Sequence, residues 1–146
     1  CVVWPNRIKA GSQTGRLVMT MDLYPTLCEA AGIRIDHLIE GVSFLPTLLG
    51  KTQAIEQRDL FFHRREGGDR YGGLTIQAIR RGEWKLLQNS PFEPLELYNL
   101  QRDPQEKVNL AGKERKVFRD LSRALRVQVQ RGGAVPWQPA DRRDVR

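Results

Sequence analysis

The feature that most constrains this chain is a pair of short alternating runs separated by a turn signal. Thr75-Ile76-Gln77-Ala78-Ile79 alternates in polarity, Arg80-Arg81-Gly82-Glu83 interrupts it, and Trp84-Lys85-Leu86-Leu87 resumes. A period of two sends successive side chains to opposite faces, so the segment reads as a β-hairpin with a face to bury. Such a ribbon is marginal alone in water, and other elements must cover it. Asp59-Leu60-Phe61-Phe62-His63 and Leu95-Glu96-Leu97-Tyr98-Asn99-Leu100 supply two further strands, and Asp103-Pro104 starts a turn. Gly67-Gly68 and Gly72-Gly73 bracket a loop between the first strand and the hairpin. Lys113 to Gln130 supplies the cover: Val117, Leu121, Leu125 and Val129 recur every four residues, with Phe118 and Ala124 beside them. Lys116, Arg119, Arg123 and Arg126 fall off that stripe or at its edge and read as a solvated outer face. Gly132-Gly133 is expected to end the helix.

The upstream residues have a different texture. Val2-Val3-Trp4 reads as a strand feeding a loop at Pro5-Asn6 and Ala10-Gly11-Ser12. Asp22 stands where an N-cap would, before a helix from Leu23 to Ala31 that Gly32 closes. Leu23, Leu27, Ala30 and Ala31 fall on one face and are expected to be buried. Pro25 is tolerated in a first turn, where its missing N–H has no intrahelical partner. A second short helix is expected from Phe44 to Leu49, ended by Gly50. Lys51 to Arg58 is polar and aperiodic, a candidate boundary. The division expected is 1–49, then an α+β subdomain at 50–131, then a flexible tail at 132–146.

The whole chain has 146 residues, with 24 Lys and Arg against 17 Asp and Glu, a net charge of +7. Two cysteines, Cys1 and Cys28, are too few for a disulfide framework or a Cys-based zinc site, and a single bridge between them stays open. Two histidines, His37 and His63, exclude a His-rich metal site. No run of about 18 apolar residues could span a bilayer. Phosphate-loop, zincin, dinucleotide-binding and Cys-x-x-Cys patterns are absent. Gly41-Val42-Ser43 begins like a nucleophile elbow but lacks the second glycine, so Ser43 reads as a turn or capping residue. The densest polar cluster is His63, Arg64, Arg65 and Glu66 at the end of an apolar strand. Two guanidinium forks there could grip a sulfate, phosphate or carboxylate, or the cluster could be a solvated strand end.

Several segments in order resemble the downstream part of the type I sulfatases. They are Trp4-Pro5-Asn6-Arg7-Ile8, Met21-Asp22-Leu23-Tyr24-Pro25-Thr26-Leu27 with Ala31-Gly32, and Glu40-Gly41-Val42-Ser43-Phe44-Leu45-Pro46. Leu60-Phe61-Phe62-His63, Ala78 to Leu87, and Glu96-Leu97-Tyr98-Asn99-Leu100 to Asp103-Pro104 continue the series. The chain is most similar to the arylsulfatase branch, including N-acetylgalactosamine-6-sulfatase-like enzymes. The resemblance implies the end of an alkaline-phosphatase-like α/β domain, followed by the small α+β subdomain. It implies a parent that hydrolyses sulfate esters of a saccharide or aryl sulfate through formylglycine, made from Cys or Ser in C/S-x-P/A-x-R, and calcium. The resemblance places those motifs upstream of the matched part, leaving this chain without a catalytic or metal site and inactive alone. Cys28-Glu29-Ala30-Ala31-Gly32 fails the pattern at Gly32.

The parent is expected to be periplasmic or extracellular, where sulfated polysaccharides lie, with a sulfated saccharide as its substrate and neither nucleic acid nor membrane as partner. His63, Arg64 and Arg65 become candidate contacts to an anionic sugar. Val2, Val3, Trp4, Leu17, Val18, Leu23 and Leu27 would lack their sheet, so self-association is expected. The rival is a non-catalytic module binding anionic glycans or, through the 113–130 helix, nucleic acid.

Overall fold

The computed structural model describes residues 1–54, 57–65, 75–90 and 92–133. The chain divides into two compact units, Cys1–Glu56 and Gln57–Arg146. The bracketing loop glycines and nearly all of the expected tail, from residue 134 on, lie outside the described residues.

In the first unit a single 3-10 turn, Thr20–Asp22, runs into α1 (Leu23–Ala30), and a one-turn α2 (Leu45–Leu48) follows. Both helices end as the sequence implies. Gly32 has φ of 70°, and the N–H groups of Gly32 and Ile33 reach back to the carbonyls of Glu29 (3.1 Å) and Cys28 (2.8 Å). Gly50, with φ of 72°, and Lys51 repeat the motif onto Thr47 and Pro46. Left-handed backbone at these two positions suits glycine, which has no Cβ to clash with the preceding turn.

Three expectations for this unit are corrected. Val2-Val3-Trp4 forms no strand; the Trp4 carbonyl instead accepts the N–H groups of Arg7 (3.1 Å) and Ile8 (3.0 Å) in a turn. An apolar run becomes a strand only where a neighbour completes its hydrogen-bond ladder. Asp22 does not cap α1. Its carboxylate accepts the Met19 N–H (2.7 Å) and the Val42 N–H (2.9 Å), tying the start of α1 to a loop twenty residues on. Finally, α1 buries Pro25, Thr26 and Cys28, while Leu23 (46% exposed) and Leu27 (66% exposed) face solvent. The buried face is fixed by polar ties: the Thr26 hydroxyl donates to the Asp22 carbonyl (2.6 Å) and accepts the Phe44 N–H (3.1 Å). Gly41 lies so close beneath them that a Cβ there would overlap the Met21 carbonyl.

The second unit is a four-stranded antiparallel sheet in the order β1 (Asp59–Arg65), β2 (Thr75–Arg81), β3 (Trp84–Gln88), β4 (Glu96–Asn99), followed by α3 (Arg115–Gly133). The hairpin turn is tighter than expected. Arg81 pairs with Trp84, leaving Gly82-Glu83 as a two-residue loop, and Gly82 supplies the positive φ (58°) that such a loop needs at its first position. Register aligns Phe61, Ile79, Leu86 and Leu97 in one row across all four strands. Leu121 (1% exposed) and Leu125 (3% exposed) of α3 close over that row, with Val117, Phe118 and Ala124 packed at its margin. Val129 lies beyond the row and stays half-exposed. α3 takes in Gly132-Gly133 as its last described residues.

Beyond β4 the chain turns at Asp103, whose carboxylate accepts the Val108 N–H (2.8 Å). It returns along β4: Leu110 N–H donates to the Leu97 carbonyl (2.7 Å), and the Asn109 amide oxygen accepts the Leu97 N–H (3.2 Å). A side chain thus stands in for a fifth strand and satisfies backbone groups that an edge leaves open.

Candidate functional site

The polar residues at the end of β1 are positioned by its pairing with β2: His63 lies opposite Gln77, Arg64 opposite Ile76 and Arg65 opposite Thr75. His63 and Arg64 are both exposed. Consecutive strand residues leave on opposite faces. His63 therefore shares the helix-covered face with Phe61, and Arg64 shares the other face with Phe62. Grouping them by adjacency in sequence joins side chains that the pleat separates.

The face carrying Phe62 and Arg64 holds a cavity of about 380 Å³, lined by Phe62, Ile76, Ala78, Leu87 and Leu100 together with Arg80, Lys85, Asn89 and Glu106. Lys85 donates to both Glu106 oxygens (2.6 and 2.7 Å). Glu106 has left-handed backbone, φ of 55°, unusual for a residue with a Cβ; its N–H to the Asp103 carbonyl (3.2 Å) and the Lys85 bridge hold it there. The Lys85 charge is thereby matched, and the Arg80 Nε–H donates to the Gly82 carbonyl (3.1 Å). On the opposite face Arg81 forks onto Asp59, Nε to Oδ1 at 2.5 Å and Nη2 to Oδ2 at 2.7 Å. That hydrogen bond is the main reason the Arg81 guanidinium is pushed above its usual range. Neither pair is evident in the sequence, where the partners stand about twenty residues apart; the signal for Arg81 is its cross-strand position opposite Asp59.

The remaining candidates for chemistry are engaged elsewhere. The Ser43 hydroxyl meets the Glu29 carboxylate and accepts the Leu45 N–H (3.2 Å), as a turn residue would. Cys28 is a buried free thiol in α1 and Cys1 an exposed one, so the two are unpaired. One match to the formylglycine pattern does occur, against the expectation of none: Ser122-Arg123-Ala124-Leu125-Arg126 reads S-x-A-x-R. Its setting is unsuitable. Ser122 is 3% exposed in the middle of α3 and donates to the Phe118 carbonyl (2.6 Å), facing the packed sheet. Among the described residues no three His, Cys, Asp or Glu side chains converge as metal ligands. The arrangement offers cations and an apolar wall for holding an anion.

Both units have counterparts among known proteins. Residues 1–132 match the family described as N-sulphoglucosamine sulphohydrolase, C-terminal, and the chain belongs to that family. It is 31% identical over 113 residues to an N-acetylglucosamine-6-O-sulfatase of Bacteroides thetaiotaomicron, covering 75% of this chain and 20% of that protein. It is 32% identical over 126 residues to arylsulfatase K of Rattus norvegicus, covering 82% and 22%. It also superposes, with a TM-score of 0.71 and 28% identity over 87% of its length, on 27% of a solved chain in complex with its substrate D-glucosamine-2-N,6-O-disulfate. The chain thus spans about a fifth of the length of these curated relatives.

Proposed function

We propose that these residues form the C-terminal part of a sulfatase that hydrolyses sulfate esters of a sulfated saccharide. The observation that carries this reading is the family match, which runs unbroken from residue 1 to residue 132 across both units. In this reading the first unit completes an alkaline-phosphatase-like α/β domain, and formylglycine and calcium belong to the part of the enzyme that precedes it. The chain by itself does not turn over sulfate esters. Left alone, it self-associates through the exposed apolar face of α1.

His63, Arg64 and Arg65 contribute to substrate binding in this enzyme. Support comes from the exposure of His63 and Arg64 at a strand end and from the fit of guanidinium to paired sulfate oxygens. Since His63 and Arg64 leave the strand on opposite faces, they hold two different groups of a saccharide and not one sulfate. The test is the natural enzyme with Arg64→Ala or Arg65→Ala, assayed for sulfate release from a glucosamine 6-sulfate saccharide. The expected result is a KM raised roughly tenfold, about 1.4 kcal/mol of binding, with kcat little changed. An unchanged kcat/KM for both variants would remove these residues from the site, and no sulfate release by the unmodified enzyme would remove the function.

A further inference from the structure

We infer that the outer face of α3 is a binding stripe for a polyanionic, sulfated glycan chain. Arg115, Lys116, Arg119, Arg123 and Arg126 are all exposed, and at 3.6 residues per turn they fall within about 100° of the helix circumference. They extend about 16 Å along the axis at 1.5 Å per residue. Among the described residues none of the five makes an ion pair. The acid of the helix, Asp120, stands at the margin of this arc, three residues before Arg123, and with Arg123, Asp59 and Arg81 it lines the cavity between sheet and helix.

This placement works against the helix itself. Arg115 with Arg119, Arg119 with Arg123, Lys116 with Arg119, and Arg123 with Arg126 are like charges three or four residues apart, a spacing that repels. The first turn carries no acid, so Arg115 and Lys116 also sit at the positive end of the helix dipole. Solubility needs cations somewhere but does not need them aligned in this unfavourable way. An anionic chain laid along the stripe relieves both penalties at once. Four of the five are arginines, whose planar forks match pairs of sulfate oxygens. The stripe carries no aromatic side chain on which nucleic-acid bases could stack, which favours a glycan.

Choosing a sulfated chain as the occupant rests on the sulfatase reading above. The test is titration of the natural enzyme that carries these residues with a size-defined heparin oligosaccharide at several salt concentrations. A variant with Arg115, Lys116, Arg119, Arg123 and Arg126 all changed to Gln is compared with one in which exposed Lys9, Arg34, Lys51, Arg102 and Lys107 are changed to Gln. Both lose the same charge and neither disturbs the core, which circular dichroism checks. The stripe variant should bind at least about tenfold more weakly and with a shallower salt dependence, and the control within about threefold of the parent. Equal losses in the two variants would overturn the stripe. Desulfated heparin or a charge-matched DNA duplex binding as tightly would overturn the sulfated-glycan assignment. Binding is read without turnover, so failure of the stripe and failure of sulfate release in the natural enzyme are separate results.

Discussion

Single side chains decide more of this structure than their chemistry suggests. Asp22 looks like a helix cap, yet its carboxylate joins Met19 to Val42 and is almost wholly buried. A capping reading sees only the residues that follow in sequence. One partner, Met19, lies three positions before it, and the other, Val42, lies twenty positions on, where nothing local points. Asn99 is a comparable case: its amide oxygen accepts the N–H groups of Gln101 and Arg102 (both 3.1 Å), starting the turn after β4. Tyr98, next to it, carries a pH prediction. Burial first, and then the Glu96 carboxylate, push its phenol above the ordinary value of 10.0. The folded chain therefore holds this proton more tightly than the unfolded chain does. Stability attributable to Tyr98 is complete below pH 10 and falls as pH rises through the folded value. Urea midpoints at pH 8 and above pH 10 should fall less for Tyr98→Phe than for the parent chain; equal falls would contradict the assignment.

At the scale of elements, the hairpin and α3 were legible because their signals are local. Alternation across 75–87 fixes which residues share a face, and a four-residue recurrence fixes the apolar side of a helix. Leu121→Ala should cost about 2–5 kcal/mol in urea unfolding, since Leu121 closes the row formed by Ile79, Leu86 and Leu97. Val129→Ala, half-exposed beyond that row, should cost well under 1 kcal/mol. Similar losses for both would mean the helix is seated differently. The illegible parts depend on partners. Val2-Val3-Trp4 has a strand's composition without a ladder to join, and α1 turns its leucines outward because Thr26 and Asp22 anchor the other side. At the candidate site, the types of residue at 63–65 are readable in the sequence, and the same two-residue period that identifies the strand sends His63 and Arg64 to opposite faces.

For the molecule as a whole, exposed apolar surface is concentrated in the first unit. Val3, Leu23, Leu27, Ile33 and Leu38 are each at least 46% exposed. Contiguous apolar surface of this kind is a common site of association. Light scattering on the isolated chain should give a mass above 16.8 kDa that drops toward that value in Leu23→Lys/Leu27→Lys. A monodisperse, cooperatively melting monomer of the parent sequence would contradict the proposed self-association. These residues are proposed to belong to an enzyme that cleaves sulfate esters. The most direct test supplies the natural enzyme with a saccharide sulfate ester, the matching phosphate monoester and a phosphonate monoester, and measures kcat/KM for each. The sulfate ester should be preferred by at least about a hundredfold, close to 3 kcal/mol of transition-state discrimination. Preference for the phosphate or phosphonate ester, or no hydrolysis of the sulfate, would contradict it.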